Sequence, residues 1–115
     1  MNTRELLEYA ARACGVDGKF LETPKSNEEQ YQCGISKYWG YRWWNPAADD
    51  GDCARMEAEL GISVDWAPTN VMCGAWDGVE SESAVERYEA HNGDKQSARR
   101  MASLRVAAEI GKAMK

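Results

Sequence analysis

A chain of 115 residues can bury one core without metal or disulfide staples, and 43% hydrophobic with 29% charged residues is ordinary for a globular protein. The net charge of −5, from 19 acidic and 14 basic side chains, argues against a grip on nucleic acid, which depends on clustered Lys and Arg. No apolar signal core opens the chain and no segment approaches membrane-spanning length, so a cytoplasmic protein with reduced thiols is expected.

The first helix is predicted over about residues 3–14. Asn2 or Thr3 can cap it, Gly15 can stop it, and Leu6, Leu7, Tyr9, Ala10, Ala13 and Cys14 share one side. Residues 19–23 read as a short strand, 24–30 as a polar turn, and 31–37 as an extended segment. Five of the seven residues 38–44 are aromatic. As a strand, this run puts Trp39, Tyr41 and Trp43 on one face and Tyr38, Arg42 and Trp44 on the other. Rings on both faces fit a sheet covered on both sides, and Pro46 ends the strand at Asn45.

A second helix is predicted over about 50–60, with Asp49 and Asp52 as a capping pair and a narrow stripe of Cys53, Met56 and Leu60. Ile62, Val64 and Trp66 then alternate with polar residues, and after a turn at Pro68 the segment 71–76 completes a hairpin. Residues 77–83 look like an acidic loop, while 84–90 suit a helical turn as well as a strand. The last helix is predicted over about 96–114, with Leu104, Val106, Ala107, Ala108, Ile110 and Met114 opposite Arg105, Glu109 and Lys112. The expected fold is α+β: one domain over residues 1–115, a three-layer α/β/α sandwich with a small, mainly antiparallel sheet.

No pattern of residues names a reaction, so a non-catalytic role is expected. Cys14, Cys33, Cys53 and Cys73 lie about twenty residues apart, without the close pairs of a zinc site. Asp49, Asp50 and Asp52 crowd together, but Gly51 interrupts them and no later Glu closes a calcium loop, so capping explains them better. His91, the sole histidine, reads as a surface turn residue beside Asn92-Gly93-Asp94, with no nucleophile motif to serve. No cofactor or metal is expected.

Two binding candidates remain. The rings of Trp39, Tyr41 and Trp43 offer a flat contact surface, unless helices cover them. Arg99 and Arg100 open the last helix, and Arg100 shares a side with Leu104, Ala107 and Gly111. A guanidinium there serves either an internal ion pair, with Asp49–Asp52 as a partner, or an anion site.

The run Trp44-Asn45-Pro46-x-x-Asp49-Asp50-Gly51-Asp52-Cys53-Ala54-Arg55-Met56 resembles the phage ABA sandwich domain, a family of small bacteriophage and prophage proteins. The opening Arg4–Ala13 and the closing Ala98–Met114 are similar to that family's ends, so the resemblance spans nearly the whole chain. It implies a layered α/β/α domain from a phage genome, and carries no activity, cofactor or catalytic set. The chain departs from it in Tyr38, Trp39, Tyr41 and Trp43, and in the long 24–34 region. The resulting expectation is a phage accessory protein in the host cytoplasm that binds a host or phage protein. A homodimer is a second expected partner, and neither nucleic acid nor membrane is expected. The alternative is a small-molecule or nucleotide binder that modulates host defence through Arg99 or Arg100 and an aromatic stack.

Overall fold

A computed structural model describes residues 1–22, 33–37, 42–76 and 80–114 of the chain. Among these residues three helices and six strands follow one another as α1 (Thr3–Cys14), β1 (Lys19–Glu22), β2 (Cys33–Lys37), β3 (Arg42–Trp44), α2 (Asp50–Leu60), β4 (Ser63–Trp66), β5 (Asn70–Trp76), β6 (Ser81–Arg87) and α3 (Lys95–Ala113), with a 3-10 turn at Tyr88–His91 before α3. The helices start and stop where local chemistry directs. Asn2 accepts a hydrogen bond from the Glu5 amide at 2.8 Å, Asp49 from Asp52 at 2.8 Å, and Asp94 from Ser97 at 3.1 Å. Gly15 and Gly61 end α1 and α2 with φ of 69° and 67°, a conformation that costs glycine no steric penalty.

The α+β class and the antiparallel pairing are those expected, and α3 begins and ends one residue earlier than predicted. The strands differ from expectation in forming two three-stranded sheets, ordered β1-β2-β3 and β4-β5-β6. Each strand pairs with its neighbour in sequence, which keeps loop closure short, and α2 separates the two meanders. In the second sheet Trp66 stands opposite Val71, and Met72 opposite Val85. The acidic loop expected up to Ser83 gives way to β6 at Ser81, because Glu82, Ala84 and Glu86 alternate inward while Ser81, Ser83, Val85 and Arg87 face out.

α3 is the hub. One side rests on β5 and β6, another on α1, and α2 abuts it, while α1 also meets β1 and β2. This crowding explains why Ala98, Ala102, Leu104, Val106, Ala107 and Ala108 are all buried, a broader set than one stripe provides. Small residues let the helices approach: a Cβ added at Gly111 would collide with the Tyr9 carbonyl. Since the helices bury their apolar surface on one another and on one face of the second sheet, no second helix layer among the described residues covers the other face. There Met72 and Val85 stay 43% and 52% exposed.

Candidate functional site

Arg99 and Arg100 are adjacent, yet they go to different carboxylates. Arg99 donates from Nε to Glu57 Oε2 at 3.1 Å, from Nη2 to Glu57 Oε1, and from Nη1 to Gln96 Oε1 at 3.2 Å. Hydrogen bonding to Glu57 raises the Arg99 pKa against the opposing effect of burial. Arg100 donates from Nη1 to Asp50 Oδ1 at 2.7 Å and from Nε to the Ala47 carbonyl at 3.0 Å. Both guanidiniums are therefore engaged inside the fold, tying α3 to α2 and to the turn that precedes it.

Glu57 is 8% exposed and was missed as a core residue. It continues the Cys53-Met56-Leu60 stripe by one position, so a charge in an apolar stripe was the available signal. Ser103 donates to Glu57, and the Cys53 thiol lies 3.7 Å from Glu57 Oε2. Ser103 Oγ is also 3.2 Å from Cys73 Sγ. Burial, followed by the Glu57 charge, pushes the Cys53 pKa up to about 12. Burial likewise raises that of Cys73. Thiols held protonated in this way are poor nucleophiles.

The aspartates serve the start of α2. Asp49 caps the helix, Asp50 holds Arg100, and Asp52 accepts from the Asn45 amide at 2.9 Å and from Arg55 at 2.7 Å. Among the described residues no three His, Cys, Asp or Glu side chains gather as a metal ion would require.

His91 is not the surface turn residue expected, since its side chain is only 14% exposed. Nδ1 lies 3.1 Å from Ser97 Oγ and Nε2 lies 3.3 Å from Glu86 Oε1. The imidazole thus links β6 to the first turn of α3, with Arg105 3.6 Å from the same Glu86 oxygen. Asn92, with φ of 55°, caps the 3-10 turn that ends at His91.

The candidate contact surface is elsewhere. Trp39 and Tyr41 lie outside the described residues, and Trp43 is in β3 opposite Ser36. Among the described residues the exposed rings are Trp66, at 47%, and Trp76, at 66%. Trp66 sits at the edge of its sheet, 6.5 Å from the Tyr88 ring, with Lys95 Nζ 5.4 Å from that same ring. The buried face predicted for Ile62, Val64 and Trp66 holds at Ile62, 7% exposed, and at Val64, which packs against the core, but not at Trp66. Trp76 ends β5, where Met72, Gly74 and Trp76 form the outward row. Ser63, Asp65, Ser81, Ser83 and Val85 surround this row on the two neighbouring strands.

Trp76 also lines a groove of about 510 Å³ with Glu59, Leu60, Ala75, Glu82 and Ile110. Its floor is apolar, with Leu60, Ala75 and Ile110 packed against the core. Glu59 comes from the last turn of α2 and Glu82 from β6.

Compared with protein-family models, curated proteins and solved structures, the chain matches none. Among the described residues no helix is long and apolar enough to cross a membrane.

Proposed function

We propose that this chain is a phage or prophage accessory protein that acts in the host cytoplasm as a non-catalytic protein-binding module. The observation that carries this reading is the outward face of the second sheet, where Met72, Val85 and Trp76 stay 43%, 52% and 66% exposed among serines, a glycine and Asp65. Large apolar anchors set among small polar residues make a surface that gains by exclusion of water at low conformational cost. The phage assignment rests on the resemblance at Trp44–Met56 and at the two ends of the chain. Arg99 and Arg100, the cations available for a nucleotide, are occupied by Glu57 and Asp50.

Site-specific photocrosslinking from positions 72 and 85 in a bacterial host tests the reading. A covalent adduct with one protein from both positions, the adduct from position 85 being lost in Met72→Asp, is the expected result. An adduct of two copies would assign the face to a homodimer. The absence of any adduct from both positions would count against a docking role.

A further inference from the structure

We propose that the groove beside Trp76 takes a lysine or arginine side chain from an extended segment of another protein. This inference deepens the protein-binding reading and rests on it. The chemistry on each wall favours a cation with an apolar stem. Leu60, Ala75 and Ile110 form a floor on which the methylenes of Lys or Arg can lie. Trp76, two-thirds exposed at 66%, offers the face that attracts a cation most strongly.

The charge is one-sided. Asp50, Asp52, Glu57 and Glu86 each have a cationic partner within the fold. Glu59 and Glu82 have none among the described residues, and among those residues no lysine or arginine lines the groove. Glu59 also lies in the last turn of α2, which has no basic residue to answer the negative end of the helix. The Cys14 thiol senses this potential: burial, and then the Glu59 charge, raise its pKa to about 11. Two unanswered carboxylates from separate elements, lining a groove with an apolar floor and an exposed indole, complement a cationic side chain.

Fluorescence anisotropy of a labelled peptide alternating arginine and leucine, against a control alternating glutamate and leucine, is the test. The intact protein is expected to bind the cationic peptide, more weakly as salt rises, and to ignore the acidic one. The double variant Glu59→Gln/Glu82→Gln is expected to lose about tenfold in affinity, two modest charge interactions together. Trp76→Leu, with both carboxylates kept, should weaken binding separately through loss of the ring. Amide NMR shifts in the intact protein should centre on Glu59, Trp76, Glu82 and Ile110. Unchanged affinity in the double variant, shifts centred on another face, or no binding at all would each overturn the inference. The crosslinks from positions 72 and 85 would be unaffected, so failure here is distinct from failure of the protein-binding reading.

Discussion

Arg99 and Glu57, 42 residues apart in sequence, join α3 to α2 through two nitrogens of one guanidinium and both oxygens of one carboxylate. Their side chains are 15% and 10% exposed, so neither charge is well hydrated. Geometry of this kind supports an ion pair in a partly dry site, and removal of one member strands the other. Arg99→Met is expected to cost about 3 kcal/mol, because Glu57 stays buried without its cation. The double variant Glu57→Met/Arg99→Met should regain much of that loss. Urea denaturation of the four species in a double-mutant cycle measures both effects. Additive losses would show that the pair is not coupled.

Arg100 is a milder case. Its partner Asp50 is 57% exposed, and water screens the attraction. Arg100→Ala is expected to cost about 1 kcal/mol, chiefly through the lost hydrogen bond to the Ala47 carbonyl. Asp49→Ala should cost a similar amount, about 1 kcal/mol, by removing the cap on the Asp52 amide. Equilibrium unfolding that ranks Arg100 above Arg99 would contradict the burial argument.

Gly111 sets how closely α3 can approach α1. A methyl group there has no room beside the Tyr9 carbonyl, and the Ala13 amide is 3.3 Å from the same position. Gly111→Ala is therefore expected to destabilise by about 1–3 kcal/mol despite its better helix propensity. Ala substituted at exposed Lys112 serves as the control. A thermal melt in which Gly111→Ala matches the wild type would mean the helices can move apart without penalty.

Stability should fall in alkali. A thiol ordinarily ionises near 9.0, whereas the fold holds Cys53 protonated until about 12 and Cys14 until about 11. Above the lower value the folded state binds more protons than the unfolded chain. The contribution is therefore complete below pH 9.0 and is lost as pH rises toward the folded values of about 11 and 12. The urea midpoint followed against pH should decline over that window, and less steeply in Cys53→Ala/Cys14→Ala. An identical slope in that variant would place the titration on other groups.

Much of the local architecture was legible in the residues. Asn2 and Asp49 as caps, Gly15 and Gly61 as stops, and Pro46 at the end of β3 follow from rules spanning three or four neighbours, so the helix limits fell within a residue. The hairpin of β4 and β5 was equally local. The second sheet's uncovered face was not, because β5 reads apolar on both sides: Val71 and Cys73 inward, Met72 and Trp76 outward. Alternation gives two faces, and only the position of α3 decides which is covered.

The same division holds for the charged residues and for the groove. By itself the sequence determined which segments are helical or extended, since capping, stopping and periodicity act between near neighbours. It also showed that carboxylates crowd the start of α2. Only the tertiary structure decided that Glu57 is buried against Arg99, that His91 sits between Glu86 and Ser97, and that Glu59 and Glu82 line one groove with Trp76. Those pairings join residues far apart in the chain, and burial, which gives a charge its energetic weight, depends on which elements come together.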